Sequence, residues 1–100
     1  MEYKTEFGFI NYDYIVNEKY PHGLLLFMGS YIYKEHRRQG RFKNMVFDLF
    51  LQMPRGTEIQ VATTNWDIAM MFIELGFKKV DEIEYWGNTE NTTKLKGFIL

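Results

Sequence analysis

The pattern of apolar and polar positions divides the chain into short alternating segments. Residues 3–17, YKTEFGFINYDYIVN, mix aromatic and β-branched residues with polar ones, which predicts two short strands or a hairpin, broken near Asn11. EKYPHG, at 18–23, is punctuated by Pro21 and Gly23 and reads as a turn. LLLFMGSYIY, at 24–33, is a continuous apolar run and reads as a buried strand. Gly29 in its middle predicts a bulge or a close backbone approach. Phe42, Met45, Val46, Leu49, Phe50 and Met53 recur at helical spacing and form one apolar stripe, which Pro54 and Gly56 end. EIQVATT, at 58–64, is a short strand. A second helix opens at TNWD, 64–67, where Thr64 or Asn65 can cap it and Asp67 suits its positive end. Ile68, Ala69, Phe72 and Leu75 give its inner face, and Gly76 stops it. FKKVDEIEYWG (77–87) and KLKGFIL (94–100) read as strands, joined by the polar NTENTT into an antiparallel hairpin.

The order β-β-β-α-β-α-β-β describes an α/β domain with a mixed sheet. Its centre, residues 24–63, is a strand–helix–strand unit, so those two strands are expected to be parallel with a right-handed crossover. Antiparallel strands are expected on both flanks.

Composition narrows the function classes. One hundred residues are expected to form a single domain around one core. With 46% apolar and 18% aromatic residues the chain is not a disordered segment. A formal charge of −1 gives no global attraction to nucleic acid or anionic lipid, so neither is expected as a partner. The charge is unevenly placed, however: Lys34 to Lys43 hold five of the twelve Lys and Arg residues, opposed only by Glu35. The absence of cysteine excludes disulfides, thiolate catalysis and zinc–thiolate sites, and the isolated His22 and His36 give a metal site no support. The N-terminal segment lacks the apolar core of a signal peptide, and no run approaches the ~20 apolar residues of a membrane span. A soluble, cytoplasmic protein is the expectation.

The basic segment EHRRQGRFKN, at 35–44, has three readings: a solvated turn, a nucleic-acid patch, or a phosphate-holding loop. Its context favours the last. A buried strand precedes it and a helix begins inside it. The N–H groups of a first helical turn have no intrahelical acceptor and carry the positive end of the helix dipole, so an anion fits there. Gly40 removes a Cβ from the approach, and Arg37, Arg38, Arg41 and Lys43 add charge. Neither the P-loop pattern nor the dinucleotide fingerprint is present.

These residues resemble the GNAT superfamily of N-acetyltransferases. RRQGRF places Arg37 and Gly40 at two positions of that family's [QR]-x-x-G-x-[GA] loop, with Phe42 where Gly or Ala is usual. NWDIAMMFIELGF, at 65–77, is similar to the family's second motif, N-x-x-A-x-x-x-Y-x-x-x-G-F, with Asn65 and the closing LGF aligned. Ile68 stands at the usual Ala and Phe72 at the usual Tyr. From residue 24 onward the element order also matches.

The resemblance implies acetyl-CoA as the cofactor, lying in a wedge between two splayed parallel strands. Its diphosphate would rest on Arg37, Arg38, Gln39, Gly40, Arg41, Phe42 and Lys43. Its pantetheine would pair with the strand near Ser30 and Ile32, whose N–H at Ile32 would polarise the thioester carbonyl. Asn65 would reach the pantetheine arm from the other strand, and Phe72 would lie beside the sulfur. The implied reaction is direct attack of a primary amine on the thioester. Glu58 is the candidate base, with His36 a second; Tyr31 and Tyr33 are polar substitutes for the missing tyrosine, since Phe72 donates no proton.

Residues 1–23 leave room for two short strands where the family places a strand, two helices and two further strands. That implies an open acceptor side, suited to a large acceptor such as a protein or completed by a second copy as a homodimer, with the aromatic N-terminal segment and YWG (85–87) as the possible contact. The alternative function is a non-catalytic acyl-CoA-binding or protein-interaction domain on the same fold.

Overall fold

The computed structural model describes residues 1–37, 40–85, 87 and 89–100. The strands are β1 (Glu2–Thr5), β2 (Gly8–Ile15), β3 (Leu24–Ile32), β4 (Glu58–Thr63), β5 (Lys78–Lys79) and β6 (Thr93–Phe98); the helices are α1 (Arg41–Leu51) and α2 (Trp66–Glu74). They follow the expected order and form one mixed sheet, β1-β2-β3-β4-β6-β5. Only β3 and β4 are parallel; every other neighbour is antiparallel.

Strand alternation sorts the central residues between two faces. Leu25, Phe27, Ile59 and Val61 face the helices and join Met45, Val46, Leu49 and Phe50 of α1 and Ala69 and Phe72 of α2 in one core. Both helices therefore cover the same side. Four rings hold its middle: Phe72 meets Phe27 edge-on at 5.5 Å, Phe77 at 5.0 Å and Phe50 at 6.4 Å. Leu24, Leu26 and Gln60 point the other way yet are equally buried. Loop chain around Tyr20 and Ile83 meets Glu58 and Gln60 on that side.

Two expectations need correction. The break near Asn11 is not a strand end, because β2 runs unbroken to Ile15. Instead the partner strand carries the irregularity: Asn11 faces Gly29 and Tyr12 faces Phe27, leaving Met28 as the extra residue of a bulge beside Gly29. The strand expected over 77–87 also shrinks to Lys78–Lys79, plus one further bond from Val80 N to Lys94 O. From Asp81 the chain leaves the edge and crosses to the face opposite the helices, because buried Gln60 offers its side-chain carbonyl to the Glu84 N–H (2.6 Å).

The end of α2 follows from two residues. Gly76 takes φ +97°, its N–H bonds Ile73 O (2.9 Å), and the Phe77 N–H bonds Phe72 O (3.0 Å). The Phe77 and Phe72 rings then meet, completing a Schellman stop with its apolar contact. A Cβ at Gly76 meets no atom within 4 Å, so only the left-handed backbone opposes a side chain there. Gly76→Ala should therefore cost about 1–2 kcal/mol, read as a lower urea midpoint at unchanged slope.

Candidate functional site

β3 and β4 are paired from Leu24↔Glu58 to Phe27↔Val61 and no further. Beyond that point β3 continues to Ile32 against β2 alone, while β4 continues to Thr63 against β6. The sheet thus splits in its middle, from the Met28 bulge onward.

The register shows which backbone groups face the split. Ile32 lies opposite Gly8, and the next residue, Tyr33, donates its N–H to Phe7 O (2.9 Å). Bonds flanking a pair in this way mark it as the non-hydrogen-bonded kind, so the N–H and C=O of Ile32 point away from β2. The same alternation turns those of Ser30 outward. Ser30 and Ile32 therefore present their main-chain polar groups to the split edge. One of these groups is occupied, since Arg37 Nε donates to Ile32 O (2.9 Å).

At the end of β3 the chain makes one 3-10 turn, Lys34–His36, and then enters α1. Gly40 is the residue before the helix, at φ +71° and ψ 12°, a left-handed conformation that glycine adopts without strain. As the N-cap, Gly40 offers α1 no side-chain cap of its own, and the positive end of the helix dipole lies here. Ile32, His36, Arg37, Gly40, Arg41 and Phe42 together line a cleft of about 140 Å³ at this point. Two cations here are held against rings: the Arg37 guanidinium lies 5.1 Å from the centre of the Tyr31 ring and that of Arg41 4.2 Å from the centre of Phe7. Lys43 is exposed on the first turn of the helix. Arg38 and Gln39, also expected at this site, lie outside the described residues.

The remaining expected residues are placed differently. Asn65 caps α2, its Oδ1 accepting from the N–H groups of Asp67 (2.9 Å) and Ile68 (3.2 Å). It follows the end of β4, on the other side of the split. Phe72 is wholly buried among Phe27, Phe50 and Phe77. It reaches the split only through Phe27, the last paired residue of β3. Glu58 is at the far end of β4, three residues before the split, a separation of about 10 Å along an extended strand. His36 packs edge-on against Phe7 at 5.0 Å.

Glu58 belongs to a second cleft, of about 460 Å³, on the face opposite the helices. Gln60 forms its floor, donating from Nε2 to Glu58 Oε2 and accepting from Glu84 N. Lys96 Nζ approaches Glu58 at 3.8 Å. Over the top, Lys19 and Glu84 form an exposed ion pair. The hydrogen bond from Lys19 holds the Glu84 carboxyl below its ordinary range, and its counterpart raises Lys19. Glu58, Glu82 and Glu84 outnumber Lys19 and Lys96 around this cleft, so its lining is net acidic.

Sequence reasoning missed Phe7 and Gln60. For Gln60 a signal exists: in EIQVATT it is the polar residue between Ile59 and Val61, and such a residue on a central strand needs a partner. Among the described residues no cluster of His, Asp and Glu could hold a metal ion, and no helix is long and apolar enough to cross a membrane.

No family model matches the chain, and no curated protein matches it in sequence. Solved structures do. Arabidopsis thaliana Naa50 in complex with the bisubstrate analogue CoA-Ac-MVNAL superposes over 91% of this chain and 64% of its own, with a TM-score of 0.64 at 20% identity. Arabidopsis thaliana NAA60 in complex with acetyl-CoA superposes over 93% and 66%, with a TM-score of 0.65 at 15% identity. NAA60 with a bisubstrate analogue gives 0.63 at 14%. The chain spans only 64–66% of the length of these structures. Element order, the split between the two parallel strands and these superpositions agree: the chain has the fold of the GNAT N-acetyltransferases.

Proposed function

We propose that the chain is an acetyl-CoA-dependent N-acetyltransferase. The observation that carries this reading is the split edge of β3, where Ser30 and Ile32 present outward backbone groups, followed along the chain by the start of α1 behind Gly40. Those groups fit a pantetheine amide chain followed by a diphosphate: main-chain donors and acceptors first, then a positive helix end with Arg37, Arg41 and Lys43 around it. The similar folds include one with acetyl-CoA and one with a CoA-peptide analogue bound.

Bound acetyl-CoA supplies an acetyl thioester, and transfer joins the amine nitrogen to the acetyl carbon while the thiol leaves with a proton. The chain's residues serve that exchange in distinct places. The Ile32 N–H, directed at the split, donates to an oxygen that gains negative charge. Asn65 fixes the start of α2 beside the other strand end, and Phe72, through Phe27, keeps the floor of the split apolar. The amine acceptor, a small molecule or a protein, enters from the acidic cleft on the opposite face. There Glu58, held by Gln60 about 10 Å along β4 from the split, draws in the cationic amine, and water takes the proton released as the C–N bond forms.

A second reading, binding of an acyl-CoA without transfer, is favoured by Phe72, a fully buried ring with no proton to give. Calorimetry with CoA, followed by mass spectrometry of an amine panel that includes an MVNAL peptide, separates the two. Binding with acetylation is expected. Binding with no acetylated product across the panel would leave the second reading standing, and no binding at millimolar CoA would end both.

A further inference from the structure

We propose that Phe7, in the turn between β1 and β2, is the positioning residue of the anion loop. This rests on the acetyl-CoA reading above. His36, near the end of β3, and Arg41, the first residue of α1, both grip the same ring. The His36 imidazole meets Phe7 edge-on at 5.0 Å and 85°, and the Arg41 guanidinium lies 4.2 Å from the ring centre. A third tie comes from the backbone, Tyr33 N donating to Phe7 O at 2.9 Å. Phe7 itself is braced, because its N–H donates to Thr5 Oγ1 at 3.0 Å within the turn.

The end of β3 and the start of α1 are thus anchored on one side chain from the β1–β2 turn. An arginine is a long chain with many rotamers, and ordering it is a cost of binding unless the protein has ordered it already. The face of an aromatic ring attracts a cation, whereas an aliphatic side chain of similar bulk does not. Phe7 therefore presets the direction of the Arg41 charge, and with it the first turn of α1, for a diphosphate. The pantetheine part of the ligand, which pairs with the β3 edge, gains nothing from it.

That division provides the test. Dissociation constants for CoA and for acetyl-pantetheine, which lacks the diphosphate, are measured by calorimetry on the wild-type chain and on Phe7→Leu, Phe7→Tyr and Phe7→Trp. Amide hydrogen exchange is followed over residues 33–44 of the ligand-free chain. F7L keeps apolar bulk and should stay folded; if it melts early, F7Y and F7W, which keep the ring, carry the comparison with an Arg41→Gln variant that removes the cation instead. F7L is expected to weaken CoA about tenfold, leave acetyl-pantetheine within twofold, and speed exchange in the loop, while F7Y and F7W restore all three. An unchanged CoA-to-pantetheine ratio overturns the proposal, even if exchange accelerates. Should the wild-type chain bind no CoA, the parent reading fails; the exchange data then show separately whether Phe7 orders the loop.

Discussion

Arg41→Glu should weaken coenzyme A binding about a hundredfold while the chain stays folded. The guanidinium belongs to the first residue of α1 and lines the small cleft with Gly40 and Arg37. Two unit charges about 6 Å apart interact by roughly 3 kcal/mol at the effective dielectric of a protein surface. Reversing one of them replaces attraction by repulsion, and solvent screening brings the net loss to about 2.7 kcal/mol, a hundredfold in affinity. Stability should move far less. A carboxylate at the start of a helix is favoured by the dipole, which offsets the lost contact with Phe7. The measurement is calorimetry at two salt concentrations, because the wild-type affinity should fall with salt more steeply than that of the variant. R41E binding within threefold of wild type would remove the diphosphate from this loop.

Phe72→Ala should destabilise the fold far more than Gly76→Ala or Phe7→Leu. Its ring has no exposed surface and contacts Phe27, Phe50 and Phe77, so it links α1, α2 and the parallel pair of strands. Truncating a buried phenylalanine costs about 3–5 kcal/mol, against a total of about 5–15 kcal/mol for a domain of this size. That corresponds to a melting temperature lower by about 15–30 °C. A drop under 5 °C would mean that the four rings do not act as one packed unit. Phe72→Tyr is the informative companion. A hydroxyl placed among three rings costs about 1–3 kcal/mol if it finds no partner. A gain in turnover despite that cost would show that the missing proton donor limits transfer.

Local features of the sequence predicted the local structures well. The stripe from Phe42 to Met53 predicted α1, the pair Thr64 and Asn65 held the cap of α2, which is Asn65, and Gly76 predicted its stop, because each depends on residues within a few positions of one another. In the basic segment, Arg37, Gly40 and Arg41 are neighbours in sequence and line one small cleft. What was not legible depends on pairing between distant segments. VDEIEY continues the alternation of a strand, and only the long-range bond from Glu84 to Gln60 takes it off the sheet. The direction of the Ser30 and Ile32 backbone groups follows from register with β2, which no local pattern fixes. Phe7 looked like one more aromatic in a hairpin, because its partners are about thirty residues away in sequence. Glu58, chosen because it starts a strand, proved to lie at the end of β4 farther from the split.

The split between β3 and β4 also bears on how long the chain survives. Ser30 and Ile32 aim main-chain groups at that edge only when the sheet is formed; in the unfolded chain they are hydrated like any others. A ligand that pairs with them binds the folded form alone and stabilises it by RT ln(1 + [L]/Kd), about 2.7 kcal/mol at a hundredfold excess over Kd. For a small domain that is a large share of the total. Melting temperature and resistance to proteolysis then become functions of ligand supply, and the abundance of the protein follows the concentration of the molecule that acts as its missing strand.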